Sequence, residues 1–491
     1  VTYVGRGAAA GKRTITFRDN AGGHYYNSIF AEQAKGIDIE YREDGSGSST
    51  GQCSYSQWAD NEILMLGNNI FQNVADGTGA GIFQVASEKD GDGNDLFTVP
   101  DAAKTAFAAY FESAGNEVSD VGVDAVNPTA SGDVYGADFA GMDAWFDVVG
   151  FRGAFRPNEN WASGWSLSLG DVEAKDNTAG GSIVTVTDAD MLAAGDNVSW
   201  TSENLYLLDG FVFVNDGQTL TIEAGTVIKG KPGQEENASA LIVARGGKIM
   251  ANGTAEAPII FTAEADDLAG SVADKATGLW GGVIVLGKGA TNNSTAEKAI
   301  EGIPTSETRG LYGADPTVED DNSGMMKYVS IRHGGTNIGE GNEINGLTLG
   351  AVGTATTFSY IEVVANADDG VEWFGGAPKC DHILVAWVGD DSYDYDEGYS
   401  GVNQFMAAIQ SDEDGDRLGE HDGGPSSNEL GEPFAEPVFS NVTYVGRGAA
   451  AGKRTITFRD NAGGHYYCLL YTSPSPRDGT KDLVCRLLLE K

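Results

Sequence analysis

Acidic residues gather in three successive stretches of this chain, and their crowding is its clearest chemical signal. Asp368, Asp369 and Glu372 are followed by Asp390, Asp391, Asp394, Asp396 and Glu397, then by Asp412, Asp414, Asp416, Glu420 and Asp422. Carboxylates brought close together repel one another unless a proton or a cation intervenes. Calcium suits such a set, because it takes about six to eight oxygen ligands and favours carboxylates. Asp390, Asp394, Asp396, Asp412, Asp414 and Asp416 are the expected ligands, and Ca2+ the expected cofactor; a solvated acidic face is the alternative for the same residues. Two loops also alternate acids, Asp90/Asp92/Asn94 and Asp412/Asp414/Asp416. Both lack the inner glycine and closing glutamate of an EF-hand, since Asp95 and Arg417, then Asp101 and Gly423, stand at those places.

The same acids could do catalysis. With Asp369, Asp391 and Glu372 as the carboxyl set, one acid would protonate a glycosidic oxygen while its partner activates water. Arg332, His333 and His421 are the nearby basic groups, and a lyase would take Arg332 or Lys379 as its base. Trp373, Tyr393, Tyr395 and Tyr399, together with Trp387, interleave with the acids and could stack on sugar rings, although packing inside the fold is the competing use of such side chains. GRGAAAGK at 5–12 has Arg13 where a phosphate loop needs Ser or Thr, and no helical pattern follows it.

Short apolar runs broken by Gly, Asn or Asp must position these groups. YLLDG, FVFVNDG, TLTIEAG, TVIKG and ALIVARGG follow one another from residue 206 to 247. They are too short for helices and too closely spaced for a sandwich, whereas a solenoid needs one brief strand per side and a turn residue at each corner. YIEVVANADDGVEWFGG at 360 and HILVAWVGDDSYDYDEG at 382 share a register that places Asp369 over Asp391, Glu372 over Asp394 and Trp373 over Tyr395. NSIFAEQAKGIDIEY at 27 follows the same pattern with Asp38 and Ile39. The expected fold is mainly β, a right-handed parallel β-helix with Ile361, Val363, Ile383 and Val385 pointing inward. One helix is expected within 100–125, as a cap or decoration.

A formal net charge of -41 excludes nucleic acid as an electrostatic partner, and 41% apolar residues argue against disorder. No apolar run is long enough for a transmembrane helix, and no leader precedes Val1, so the natural N-terminus is expected to lie further upstream. Cys53, Cys380, Cys468 and Cys485 have no metal-type spacing. Few cysteines with heavy acidity point to an exported protein, extracellular or on the outer cell surface, from a saline habitat.

Residues 1–26 recur unchanged at 442–467, after which CLLYTSPSPRDGTKDLVCRLLLEK departs from the acidic composition. That tail, 468–491, resembles a translated sequencing adapter and is set outside the expected fold. Residues 171–182, DVEAKDNTAGGS, read as a linker or junction, which divides the chain into 1–170, 183–441, the duplicate 442–467 and the tail. The expected natural order runs from about 182 to 441 and continues into 1–170.

LDGFVFVNDGQTLTIEAGTVIKGKPG, GLWGGVIVLGKG, YVSIRHGGTNIGEGNEINGLTLG, ANADDGVEWFGG, GDDSYDYDEG and FRGAFRPNENWASGW together resemble a family of secreted or surface-anchored bacterial β-helix proteins, and more loosely the pectin-lyase superfamily. The GDD at 389–391 is similar to a motif of polygalacturonase-type hydrolases, without that group's other motifs. The resemblance implies the fold, an extracellular location and a polysaccharide or cell-surface glycan as partner, and it brings no catalytic residues with it. The expected function is an adhesive or glycan-binding scaffold, with a polysaccharide hydrolase or lyase as the alternative.

Overall fold

The computed structural model describes residues 181–234, 237–339, 342–411, 414–425, 428, 431–445, 456–467 and 470–472. From the first 169 residues it describes 2–4, 13–18, 20–26, 29–31, 35–42, 53–60, 64–67, 69–72, 82–87, 94–118, 139, 142–151, 154 and 161–169. These residues build two units, one of 161–402 and 408–415, the other of 1–160, 403–407 and 416–491.

The first unit is a right-handed parallel β-helix. Each coil contributes three short strands, such as Asn197–Trp200, Leu205–Leu208 and Phe211–Val214. These pair in register with Thr219–Ile222, Val227–Gly230 and Ala240–Val243 of the next coil. Such runs are too short for any other use of their hydrogen-bonding groups, so each backbone finds its partners in the coil above and below. Gly217 and Gly225, at φ 79° and 82°, make the corners that a β-carbon would strain.

In later coils the first two strands fuse into Gly324–Arg332, Thr357–Val364 and Lys379–Ala386. Each of these bends at one residue of positive φ: Tyr328 at 48°, Tyr360 at 54° and His382 at 53°. The third strands, Leu347–Gly350, Val371–Phe374 and Tyr393–Asp396, stack beside them. Ile361 pairs with Ile383 and Val363 with Val385, all buried in the interior as expected. The alternate positions do not face water, however, because Glu362 and Leu384 are buried too. Residues 161–169 lie along this outer face and cover Glu362. A second excursion, 287–323, packs Ile300, Ile303 and Tyr312 into one apolar cluster with Leu286 and Phe374.

In the second unit the strands Gly419–Asp422, Ile456–Arg459, Arg13–Phe17, Lys35–Tyr41 and Phe83–Ser87 follow one another in space. Coil therefore continues from the carboxy-terminal copy of the duplicated segment into the amino-terminal copy. The copies meet residue on identical residue: Ile15 pairs with Ile456, Tyr25 stacks on Tyr466 at 5.4 Å, and Asn20 donates to Asn461 at 2.7 Å. The third member of the register read from sequence, at 27–41, sits here, with Asp38 between Thr16 and Gln84.

The expected helix is Asp101–Ser113, which buries Ala103, Phe107 and Phe111, with Phe107 and Phe111 against Phe83. It stops where Gly115 takes φ 76° and the Asn116 amide caps the Phe111 carbonyl at 2.8 Å. Within 468–491, Leu470–Thr472 pairs with Thr443–Val445 and with Thr2–Val4. Residues 473–491 lie outside the described residues. No helix among the described residues is long and apolar enough to cross a membrane.

Candidate functional site

The 22-residue coil period brings acids together in the first unit. Val371–Phe374 and Tyr393–Asp396 lie side by side, with Glu372 opposite Asp394 and Trp373 opposite Tyr395. At the preceding corner Asp391 donates its backbone N–H to Asp369 Oδ1 at 2.8 Å, 22 residues away. Carboxylate oxygens of Asp368, Asp369 and Asp390 all lie within 4.8 Å of one another, and so do those of Asp369, Glu372 and Asp394. Asp369 belongs to both sets and joins them.

Electrostatics follow from this crowding. Burial is the largest cause that raises Asp368, to about 8, and Glu343, Glu301 and Asp390 push in the same direction. Asp369 lies well above the carboxylate range, through burial and then through Asp394, Asp368 and Asp391. Glu372 is raised in the same way by burial, Asp369, Glu301 and Asp368. Two ionised carboxylates at this separation cost about 3–4 kcal/mol at an effective dielectric of roughly 20. Asn345 borders the group: its amide donates to Glu372, while its buried Oδ1 has no hydrogen-bond partner among the described residues. The chemistry of this donor set, carboxylates with one amide oxygen, fits a hard divalent cation.

Asp396 and Asp414 are not part of these two sets. Asp396 accepts the backbone N–H of Glu397 at 2.6 Å, and Glu397 itself is buried with Tyr312, Asn293 and Lys298 around it. Asp414 is exposed and accepts from the backbone of Gly415. Asp416 belongs to the second unit and holds Arg417 at 3.0 Å. Asp90, Asp92 and Asp412 lie outside the described residues.

The expected basic partners need correction as well. Arg332 is buried; its Nε donates to Ser330 at 2.8 Å, and Ser330 donates to Glu362 at 2.6 Å. His333 meets the Ala276 carbonyl through Nδ1 at 2.7 Å and faces Asp266 through Nε2 at 4.0 Å. Both serve the packing of the 265–281 excursion, and neither meets Asp369 or Asp391. Desolvation holds each below its usual pKa. Lys379 opens a strand of the other sheet, paired with Thr357. His421, in the second unit, is buried among Phe439, Phe458 and Tyr466, with its pKa lowered to about 3 by burial.

Trp373, Tyr393, Tyr395 and Tyr399 are fully buried, so they cannot present a face to a sugar. Strand alternation explains this: if Glu372, Asp394 and Asp396 point outward, their neighbours Trp373, Tyr393 and Tyr395 point inward. Tyr393 accordingly donates to the Ile383 carbonyl at 2.8 Å across the interior. The half-exposed rings are others, which sequence reasoning missed. Tyr328 stacks on Tyr360 at 4.4 Å, Tyr360 on His382 at 4.1 Å, and Trp161 stands perpendicular to Tyr360 and His382. Their signal was the aligned Tyr360 and His382 at the start of the two repeats.

Stacked three-strand coils with buried aliphatic columns define a parallel β-helix protein. The profile of pectate-lyase-like β-helix domains matches residues 192–470, and the chain belongs to that family. Membership supports a carbohydrate-related role at the level of the family. Comparison with curated proteins and with solved structures gives no match for this chain.

Proposed function

We propose that the protein is an exported, glycan-binding scaffold whose β-helix is stabilised by calcium at the joined acid sets Asp368/Asp369/Asp390 and Asp369/Glu372/Asp394. The observation that carries the reading is the burial of Asp369 and Glu372 among other carboxylates, next to an unsatisfied amide oxygen on Asn345. Fully ionised, such a cluster would destabilise the coil; a bound divalent cation would reverse the sign of the interaction. Asp369, Glu372, Asp394 and Asn345 would hold the ion, which would supply charge neutralisation and a point of attachment for sugar hydroxyls or uronates. Family membership supports the carbohydrate side of the reading, and the acidic composition supports export.

A hydrolase at the same acids is favoured by Asp368, which at about 8 would keep a proton at neutral pH as a general acid needs. Against it stands the crowding of three carboxylates in each set, where a glycosidase works with one spaced pair. The test is incubation with a panel of neutral and acidic polysaccharides, scored for retention and for reducing ends or unsaturated products. Retention without product, surviving Asp391→Asn, supports the scaffold. Product that Asp391→Asn abolishes replaces the scaffold with an enzyme. An unchanged melting temperature on adding calcium or chelator removes the ion.

A further inference from the structure

Away from the acid sets, one buried carboxylate of the first unit receives three side chains of the 287–323 excursion. Glu397 is fully buried; its Oε1 takes the Lys298 ammonium, and its Oε2 accepts the Asn293 amide at 2.6 Å and the Tyr312 hydroxyl at 2.5 Å. The backbone arranges this convergence. Lys298 and Tyr312 are opposite each other in the short antiparallel pair of Lys298–Ala299 with Leu311–Tyr312, so both side chains reach the same point. Asn292 donates its backbone N–H to the Glu397 carbonyl at 3.0 Å, which seats the turn that carries Asn293.

A primary amine and a primary carboxamide thus meet the two oxygens of a single carboxylate. These are the two reactants and the proton carrier of an amide exchange. In open water such a pair is inert, because the amine holds its proton and the groups are seldom aligned. Here the carboxylate and Tyr312 are buried, and Tyr312 packs with Ile300, Ile303, Leu286 and Phe374. Hydrogen bonds in such surroundings are strong and hold their partners in place. Lys298 enters from the rim with its side chain 47% exposed, which leaves it room to bring Nζ to the roughly 3–3.5 Å from Asn293 Cγ that attack requires.

We infer that Lys298 and Asn293 become joined by an isopeptide bond, with Glu397 as the proton carrier. Glu397 takes a proton from the Lys298 ammonium, and the freed lone pair on Nζ attacks Asn293 Cγ, forming the new C–N bond. Glu397 passes the proton to Nδ2, the Cγ–Nδ2 bond breaks, and its electron pair leaves with ammonia. The proton still in excess on Nζ departs with that ammonia as ammonium, so Glu397 ends as it began. Nothing is oxidised or reduced. The product ties 293 to 298 and clasps the excursion against Glu397, independently of any ion or glycan.

Mass spectrometry of the full chain tests the bond. Wild type is expected at about 17 Da below the mass of its sequence, the loss of one ammonia. Trypsin should then pass over Lys298 and release 289–309 as one peptide that carries the loss. Lys298→Arg keeps a cation against Glu397 without the attacking amine, and Glu397→Gln keeps both reactants without the proton carrier; each is expected at its full sequence mass. A wild-type chain at full mass that is cut after Lys298 overturns the bond, and so does a deficit that persists in Lys298→Arg. A folded Glu397→Gln chain that still carries the link overturns the role given to Glu397. If Glu397→Gln does not fold by circular dichroism, Lys298→Arg, at the exposed rim, decides.

Discussion

Two columns of the same β-helix carry opposite chemistry. At one corner Asp369 accepts from Asp391, and Glu372 faces Asp394 one coil on; at another, Tyr328, Tyr360 and His382 stack ring on ring. Because the coils are in register, whatever occupies one position meets its counterpart above and below. A column of rings gains at each step, about 0.5–1.5 kcal/mol per pair beyond the area buried. A column of ionised acids loses at each step, unless something outside the chain compensates. The solenoid multiplies the sign of the contact, and that makes the acid column the place to look for an external partner.

The largest effect should come from the face that links the two. Glu362 is buried beneath residues 167 and 168, with Ser330 and Arg332 behind it. Glu362→Ala leaves the Leu167, Ser168 and Ser330 donors unsatisfied and removes a carboxylate that offsets the buried Arg332 charge, and is expected to cost about 3–5 kcal/mol in denaturant unfolding. A loss under about 1 kcal/mol would mean that the covering segment does not sit there.

Next comes the acid column. Asp369→Asn removes one charge while keeping an acceptor for the Asp391 N–H, so without divalent ions it should raise the melting temperature. Each kcal/mol corresponds to about 2–4 °C for a unit of roughly 150–250 residues. The same variant should abolish the rise that calcium gives wild type; a variant that still responds fully would break the contrast between the columns.

The pH response follows from the raised carboxyls. Asp368, Asp369 and Glu372 bind protons more tightly folded than unfolded, so their contribution is fully present below the ordinary carboxylate pKa of about 4. It fades as pH rises through the folded values, to about 8 for Asp368. Thermal melts in chelator should fall between pH 5 and 9, roughly, and calcium should flatten that fall. A melt that rises over the range would contradict the cluster. The smallest effect is expected for Tyr360→Gly, which loses the stacked rings of Tyr328 and His382 and the edge contacts of Trp161 and Trp165 but relieves a left-handed residue, for a net cost of about 1–2 kcal/mol by chemical denaturation.

Much of the fold was legible because turn residues and alternation repeat with the coil. The pairs Glu372/Asp394 and Trp373/Tyr395 came directly from aligning 360–376 with 382–398. The same alternation already implied that Trp373, Tyr393 and Tyr395 face inward, opposite the acids. Arg332 and His333 could not be placed from sequence, because what contacts them, the 265–281 excursion, has no repeat to anchor it. Glu362 was visible as a lone acid in an apolar run, but its partners lie 195 and 194 residues away. Aromatic residues at the bend were hidden for another reason, since nothing in Tyr or His signals a left-handed backbone.

The in-register stacking of the two identical segments bears on recognition along the coil axis. Phe17 lies on Phe458 and Tyr25 on Tyr466, so one coil edge accepts its own sequence as a neighbour. An edge of this kind does not discriminate self from copy, and only what covers a terminal strand keeps it from taking another.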